Sequence, residues 1–226
     1  MNNVNQHITR LDWDSDFFGI EVGRLSTKQE ELHLKDSLFD LVYIHSKKKL
    51  INTSIPCYDR KITFKKKLVA NTKISLNPAV KEYGGELTKE LLNLAITSGI
   101  YSRIKLDTKL SSRFEELYTI WIKNSLNGLL ADYVFTYEKD DKILGFVSLK
   151  KKENFYQVGL IATSTEHRAM GIGSSLLQKI EDVAIQKKLP EVRIVSQLNN
   201  QTAYNFYSKN GYKVDSLEYI YHLWAK

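Results

Sequence analysis

In the stretch Glu166-His167-Arg168-Ala169-Met170-Gly171-Ile172-Gly173-Ser174-Ser175, two glycines lie where a predicted strand gives way to a predicted amphipathic helix. Glycine lets the backbone approach a ligand closely, and the first amide N–H groups of a helix have no partner within the helix. Together with the positive end of the helix dipole, these amides indicate a binding site for a diphosphate. Arg168 would add a charge-assisted contact to that site.

The glycine spacing has a second interpretation, because Gly171 and Gly173 would also permit tight packing of the helix. The short pattern R-x-x-G-x-G does not decide between the two interpretations by itself. The stretch is not a dinucleotide-binding fingerprint, since G-x-G-x-x-G is absent, and it is not a P-loop, since no Gly-Lys-Ser/Thr follows.

Hydrophobic periodicity around this stretch predicts an α+β domain. The predicted order is ααβββαβαββ. The elements are two helices with apolar stripes over 87–95 and 114–122, strands over 133–137, 143–149 and 156–161, a helix with its apolar face over 172–184, a strand over 192–195, a helix over 202–209, and strands over 212–214 and 219–224.

The first part of the chain mixes short apolar runs with charged residues, which predicts strands and one short helix. The segment from Leu11 to Gly19 favours a strand with a turn at Asp14-Ser15-Asp16 and aromatic residues in the core. The apolar pattern lapses between Val69 and Pro78. We therefore expect two domains, a small α/β domain over residues 1–72 and a larger one over 73–226.

Composition and charge limit the classes of function. The 226 residues are 42% hydrophobic and 26% charged, as in a folded globular protein, and the formal net charge of +7 favours polyanionic partners. The lysine runs at 47–49, 65–67 and 150–152 are separated by apolar strands, so we expect no nucleic-acid partner. The single Cys57 excludes an intramolecular disulfide and offers no metal cluster. With no signal peptide and no long apolar run, the sequence predicts a cytoplasmic protein without a membrane span.

The positions of Arg168, Gly171 and Gly173 match the signature Gln/Arg-x-x-Gly-x-Gly/Ala, which binds the coenzyme A pyrophosphate in the GNAT superfamily. A second run, Asn200-x-x-Ala203-x-x-Phe206-Tyr207-x-x-x-Gly211-Tyr212, resembles the superfamily's N-x-x-A-x-x-x-Y-x-x-x-G-F. Thr165 and Ala169 depart from the pattern, since many members have proline and glycine there. The resemblance implies the GNAT fold, a mixed and mostly antiparallel sheet flanked by helices.

The same resemblance implies an acyl-CoA-dependent N-acyltransferase, in which a neutral amine attacks the thioester directly. A backbone N–H within residues 159–162 would polarise the thioester carbonyl, and Tyr207 would protonate the departing thiolate. The residues expected to bind acetyl-CoA or another acyl-CoA are Ile161, Ala162, Thr163, Arg168, Ala169, Met170, Gly171, Ile172, Gly173, Ser174, Asn200, Ala203 and Phe206.

Two of these residues have a second interpretation, and no general base is predicted. Tyr207 would also fit a packed aromatic residue beside Phe206, and Asn200 would also fit a helix N-cap. His167 and Glu166 lie in the pyrophosphate loop, remote from a substrate amine. The remaining histidines match no motif; they are His7, His33, His45 and His222.

The acceptor is indicated by the run Trp13-Asp14-Ser15-Asp16-Phe17-Phe18-Gly19, which resembles the opening of two-domain sugar acyltransferases such as dTDP-fucosamine acetyltransferase. Residues 112–122 resemble the second helix of the same proteins. The resemblance implies transfer of an acetyl or short hydroxyacyl group to the amine of a dTDP-linked 3- or 4-amino-dideoxyhexose for surface polysaccharide. Phe17, Phe18 and Arg103 would then border the acceptor site, and a homodimer is compatible with the sequence.

Other functions remain open at this stage. The acceptor amine could belong to a protein N-terminus, a polyamine or an antibiotic. A different class of function is a catalytically silent acyl-CoA sensor or a basic nucleic-acid-binding module.

Overall fold

The structure is a computed structural model that describes residues 7–32 and 38–225. Its strands are β1 (Thr9–Arg10), β2 (Val22–Thr27), β3 (Leu41–Ser46), β4 (Cys57–Lys67), β5 (Val80–Glu82), β6 (Tyr133–Lys139), β7 (Lys142–Lys151), β8 (Tyr156–Thr163), β9 (Glu191–Gln197) and β10 (Lys213–Trp224). Its α-helices are α1 (Asp12–Phe18), α2 (Lys89–Ser98), α3 (Arg103–Leu106), α4 (Phe114–Leu126), α5 (Ile172–Gln186) and α6 (Gln201–Lys209). Within the described ranges, no helix is long and apolar enough to cross a membrane.

The strands of the described residues form one mixed sheet in the order β1-β2-β3-β10-β4-β9-β8-β7-β6-β5. Strands β5 to β8 form an antiparallel meander, and α5 connects β8 to its parallel neighbour β9. Strand β4 comes from the first part of the chain but lies between β9 and β10, antiparallel to both. The predicted α+β class, with a mixed and mostly antiparallel sheet flanked by helices, is confirmed.

The predicted domain boundary at residues 72 and 73 falls in the connection between β4 and β5. Strands from both sides of this boundary share the sheet, and β4 is hydrogen-bonded to β9 along residues 61–67. The division into two domains stays a prediction.

Helices α2, α4, α5 and α6 were predicted from the sequence, whereas α3 and the short strand β5 were not. The Thr88 hydroxyl accepts a hydrogen bond from the Leu91 N–H at 3.2 Å and caps α2, which ends at Gly99. Both faces of the sheet are covered. Helices α5 and α6 cover one face, over Phe64, Leu149 and Ile194, and α2 and α4 cover the other, over Tyr43, Phe146 and Leu160.

Two sequence predictions are wrong. The segment predicted as a strand with a turn at Asp14-Ser15-Asp16 is the helix α1. Asp12 and Asp14 lie in its first turn, where they interact favourably with the helix dipole, and Gly19 ends it in the left-handed region with φ 70°. The two final strands predicted over 212–214 and 219–224 are one strand, β10, because a bulge between Val214 and Ser216 takes the place of a turn.

Truncating Phe64 tests whether β4 belongs to the core. The Phe64 ring is fully buried, with its centroid 5.3 Å from that of Tyr207 and 5.5 Å from that of Tyr204. We expect Phe64→Ala to lower the free energy of unfolding by about 3–5 kcal/mol, because it removes these contacts and leaves a cavity. Denaturant titration measures this. The control Lys67→Ala, on an exposed position of the same strand, should stay within about 0.5 kcal/mol of the parent. Equal effects of the two changes would contradict the packing described.

Candidate active site

Strands β8 and β9 pair for only a short distance and then separate. Their register runs from Tyr156 opposite Val192 to Val158 opposite Ile194, whereas β8 continues to Thr163 and β9 to Gln197. A cavity of about 970 Å³ lies at this separation. Its lining includes residues of α5 and α6 on one face of the sheet and of α2 and α4 on the other. The cavity therefore passes through the sheet, and ligands can enter it from both faces.

The edge of β8 presents backbone groups to this cavity. The Leu160 N–H donates to Ser148 Oγ at 2.8 Å, and the Ser164 N–H donates to the Leu144 carbonyl oxygen at 2.8 Å, so both point towards β7. Because the direction of the N–H alternates along a strand, the Ile161 N–H points the other way, into the separation. It is a fixed hydrogen-bond donor in the cavity wall.

The loop before α5 has the geometry of an anion-binding helix start. Gly171 is the N-cap with φ 79° in the left-handed region, and it has no side chain to cap the helix. Ser175 N–H bonds to the Gly171 carbonyl oxygen at 2.9 Å, which leaves the N–H groups of Ile172, Gly173 and Ser174 as the open first turn. All three residues line the cavity.

The structure shows a different requirement for each glycine, and ligand binding by the loop stays a prediction. A Cβ on Gly173 would lie 2.8 Å from Phe206 Cζ, so Gly173 allows α5 to pack closely against α6. A Cβ on Gly171 would meet no atom within 4 Å, so its requirement is the left-handed backbone conformation alone. Ala169, where many GNAT members have glycine, also has a positive φ of 61°.

The structure brings nearly all the predicted coenzyme-binding residues to this one cavity. The exception is Met170, whose side chain is 56% exposed and which is not part of the lining. Those in the lining are Ile161, Ala162, Thr163, Arg168, Ala169, Gly171, Ile172, Gly173, Ser174, Asn200, Ala203 and Phe206. Their contacts to a ligand stay predictions.

Tyr207 also lines the cavity, although only 5% of it is exposed. Its ring centroid lies 5.3 Å from that of Phe64 and 5.3 Å from that of Phe206. Burial raises the pKa of Tyr207 above its usual value, so the phenol carries its proton at neutral pH. Asn200 is an N-cap, since its side-chain oxygen accepts from the Ala203 N–H at 3.1 Å, and it lines the cavity as well.

The three residues predicted to border the acceptor are not in the cavity lining. The Phe17 ring stacks on Trp13 at 4.9 Å between centroids, with the Arg113 guanidinium 4.5 Å from it, and Phe18 packs against the core beneath α2 and α4. Arg103 lies near the cavity, and its charge influences Tyr118 in the cavity wall. Their role in acceptor binding stays a prediction.

Arg103 is held by a buried polar chain that the sequence did not reveal. Its guanidinium lies 3.8 Å from the ring centroid of Tyr43, and its Nη1 is 3.4 Å from His222 Nε2. His222 Nδ1 lies 2.6 Å from Asp107 Oδ2, which also accepts from Trp224 Nε1 at 3.0 Å.

The protonation state of His222, in the middle of this series of polar contacts, follows from its surroundings. Burial, together with the positive charge of Arg103, lowers the pKa of His222, so the ring is neutral near pH 7. A neutral ring donates from Nδ1 to Asp107 and accepts at Nε2 from Arg103. The chain therefore fixes the orientation of the guanidinium.

Several cavity residues were missed in the sequence. Lys61 and Thr63 of β4 line the cavity, and so does Gln197 of β9. Tyr118 and Trp121 were counted as core residues of an amphipathic helix, and they face the cavity as well. No local motif marks these positions, because strand order brings them together. His33 lies outside the described residues.

The comparisons with known proteins agree with this geometry. Residues 108–212 match the Acetyltransferase (GNAT) family. A spermidine N(1)-acetyltransferase from Thermoplasma acidophilum is 26% identical over 124 residues, which are 54% of this chain and 75% of that protein. The spore coat polysaccharide biosynthesis protein SpsD from Bacillus subtilis is 25% identical over 138 residues, 61% of this chain and 47% of that protein. The chain spans about half the length of two of the curated relatives it matches.

A solved structure shows the same fold. The PaiA N-acetyltransferase from Thermoplasma acidophilum, in complex with coenzyme A, superposes with a TM-score of 0.50 at 22% identity over 65% of this chain and 99% of that one. The predicted GNAT fold is confirmed.

The conformation of Gly171 can be tested against a matched glycine. Gly171 and Gly128 both have φ +79°, and a Cβ at either position would meet no atom within 4 Å, but only Gly171 lies in the cavity. An alanine at either position costs about 1–2 kcal/mol, because L residues are strained in the left-handed region. We expect Gly171→Ala to weaken coenzyme A binding about tenfold in calorimetry, as the loop relaxes away from its binding conformation. Gly128→Ala should lose stability but keep the parent affinity, and equal affinities for the two variants would contradict this role of the loop.

Proposed function

We propose that this chain, whose residues 108–212 match the Acetyltransferase (GNAT) family, transfers an acyl group from coenzyme A to the amine of a nucleotide-linked amino sugar. The observation that carries the acyl-transfer half of this proposal is the shared cavity. The open amides of α5 and the free edge of β8 both line it, and it opens to both faces of the sheet.

The residues present fit an acyl-CoA. The N–H groups of Ile172, Gly173 and Ser174 receive the diphosphate, and Arg168 adds a positive charge beside them. Bound acyl-CoA supplies a thioester carbonyl that an amine can attack. The Ile161 N–H stabilises the negative charge that develops on the carbonyl oxygen.

The reaction needs no covalent bond to the protein. As the C–N bond to the acceptor nitrogen forms and the C–S bond breaks, the departing sulfur takes the proton of the Tyr207 phenol. The nitrogen of the neutral amine loses one proton, which restores the phenol. Burial keeps the Tyr207 phenol protonated, so its hydroxyl has a proton to give to the sulfur.

The charge of the cavity supports an anionic acceptor. Its lining includes Arg168 and Lys209; it also includes Lys61 and Arg193, which pair with Glu218 and Glu191, and Asp215, which pairs with Lys65. A polycation such as spermidine would be repelled, whereas a second diphosphate-bearing ligand would be attracted. The similarity to a spore coat polysaccharide biosynthesis protein also supports a sugar acceptor.

The acceptor side of the site is proposed at Arg103. The chain from Asp107 through His222 fixes the guanidinium, which presents several N–H donors in a plane and suits a phosphate or sugar oxygen. Phe17 and Phe18 border this side in the proposal. Transfer of an acetyl or short hydroxyacyl group to a 3- or 4-amino-dideoxyhexose, in a cytoplasmic step of surface polysaccharide synthesis, remains part of the proposal.

A panel of amines tests the acceptor class. Acetyl-CoA is incubated with a dTDP-linked amino-dideoxyhexose, spermidine or a peptide with a free N-terminus, and free thiol is followed. We expect a kcat/KM for the sugar nucleotide at least about 100-fold above that for spermidine, a difference of roughly 3 kcal/mol in the barrier. The same sugar nucleotide with a hydroxyl in place of the amine is the control and should release no thiol.

Other outcomes of the panel assign other functions. Preference for spermidine would replace the sugar acceptor by a polyamine. Salt-sensitive nucleic-acid binding without thiol release would reject acyl transfer.

Removing the Tyr207 hydroxyl tests the general acid. We expect Tyr207→Phe to lower kcat about 100-fold, because the departing sulfur loses its proton donor, while the affinity for coenzyme A changes little. Steady-state kinetics and calorimetry measure the two quantities. Tyr137→Phe on β6, outside the cavity lining, is the matched control and should keep the parent kcat. A parent-like kcat in Tyr207→Phe would refute the assigned role.

A further inference from the structure

We propose that Asp59, on the inserted strand β4, takes the proton from the ammonium group of the acceptor, so that the amine reaches the thioester in its neutral form. This inference rests on the acyl transfer proposed above and adds to it the general base that no motif in the sequence marks. Its support is the position of the buried Asp59 carboxylate, together with the hydrogen bonds and charges around this carboxylate.

The strand places Asp59 on the face that borders the cavity. Side chains alternate along a strand, so Asp59 points to the same side of the sheet as Lys61 and Thr63, which both line the cavity. Its neighbour across the ladder to β10 is Ile220, which packs in the core beneath α2 and α4. Asp59 therefore lies on the face of the sheet opposite α5 and its open amides.

Two residues of the cavity lining interact with Asp59. The Gln197 side chain hydrogen-bonds to the Asp59 carboxylate, and the charge of Asp59 influences the buried phenol of Tyr118. Gln197 and Tyr118 both line the cavity. Asp59 itself is not part of the cavity lining, so an acceptor that enters from the α2 and α4 face would reach its carboxylate past Gln197 and Tyr118.

One oxygen of the carboxylate is left for a ligand. Asp59 is only 7% exposed, and its Oδ1 has no hydrogen-bond partner among the residues that the structure describes. A buried polar atom without a partner is costly, and an ammonium group of the acceptor would satisfy it. The neighbouring carboxylates are occupied. Asp107 bonds to His222 and Trp224, and Glu218 lies 3.1 Å from Lys61 Nζ and 3.2 Å from His45 Nδ1.

The charges that act on Asp59 come from α3, β4 and β10. Burial raises the pKa of Asp59 to about 7, an effect that Arg103 of α3 and Lys61 of β4 oppose and that Glu218 of β10 reinforces. A carboxylate that titrates near neutral pH is matched to accepting a proton from an amine and passing it to solvent. Glu218 is unsuited to this role, because its hydrogen bond from His45 holds its pKa well below the usual range.

The proton balance of the step is complete. The acceptor R–NH₃⁺ gives one proton to the Asp59 carboxylate, and the nitrogen keeps the electron pair of that N–H bond. This pair forms the C–N bond as the C–S bond breaks. The departing sulfur takes its proton from Tyr207, the nitrogen's second proton restores the phenol, and Asp59 returns its proton to solvent. The net products are the amide, the free thiol and one proton.

The pH dependence of kcat distinguishes a base from a structural residue. At saturating acetyl-CoA and amino-sugar nucleotide, we expect the parent kcat to rise with pH and then to reach a plateau, because Asp59 must be ionised to accept the proton. Asp59→Asn should lower kcat at pH 7 about 100-fold. The plateau in the pH profile should also disappear, so that the residual kcat keeps rising with hydroxide concentration. Asp59→Glu, which keeps a carboxylate, should retain the plateau at a reduced kcat.

Controls separate this role from folding and from coenzyme binding. Both variants should bind coenzyme A with the parent affinity in calorimetry, since the open amides of α5 lie on the other face of the sheet. Asp140→Asn, in the turn between β6 and β7, is the matched control and should keep the parent kcat and pH profile. If Asp59→Asn does not fold, carboxyl ¹³C NMR of the parent, assigned with Asp59→Glu, measures the titration of Asp59 directly.

The outcomes separate this inference from the proposed function. No thiol release by the parent with any amine rejects the acyl transfer itself. Turnover by the parent together with a parent-like kcat and pH profile in folded Asp59→Asn rejects Asp59 as the base and leaves the acyl transfer standing. A carboxyl signal of Asp59 that titrates near pH 4 in the parent also overturns the inference.

Discussion

The separation of β8 from β9 is the constraint on which the candidate site depends. Beyond Val158 and Ile194 the two strands no longer pair, so the edge of β8 has backbone groups that face a cavity instead of a neighbouring strand. An unpaired backbone group in the interior costs free energy comparable to a lost hydrogen bond. Strand β9 avoids this cost on its other edge, because β4 pairs with it along residues 61–67. The inserted strand β4 thus satisfies the backbone groups on one edge of β9, while the edge of β8 stays open for a ligand.

Much of this arrangement could be predicted from the sequence, because its signals are local. The caps Thr88 and Asn200, the glycines at 171 and 211 and the apolar stripes of α2, α4 and α5 each act within a few residues. The loop before α5 is predicted to bind through its own backbone, so a short pattern of glycines is enough to mark it as a candidate. The failure at α1 also has a local cause. Alternating aspartates resemble a turn, but here two of them lie in the first turn of a helix that Gly19 ends.

The rest could not be predicted, because it depends on strand order. Nothing within residues 57–67 indicates that β4 lies between β9 and β10, since strands on both sides of it come from more than 100 residues later in the chain. The chain of Arg103, Asp107, His222 and Tyr43 combines α3, the residue that follows it, and two strands. His222 matches no motif in the sequence, yet its ring is completely buried between Asp107 and Arg103. Long-range pairing, which a single sequence does not reveal, decides which polar residues meet.

The two halves of the candidate site therefore differ in how they are built and in how much their burial lowers the free energy of unfolding. The coenzyme side uses backbone amides at a helix start, which are present in any such helix and need no buried charge. The proposed acceptor side buries charged groups, among them Asp59. Its pKa is raised from 3.8 to about 7, so ionisation favours the unfolded chain over the folded one as the pH rises through this range. About three pKa units correspond to a cost on the order of 4 kcal/mol above neutral pH. A folded chain that carries such a cost beside the candidate site is consistent with a group that a ligand's positive charge satisfies, because an ammonium at Oδ1 would return part of this free energy on binding.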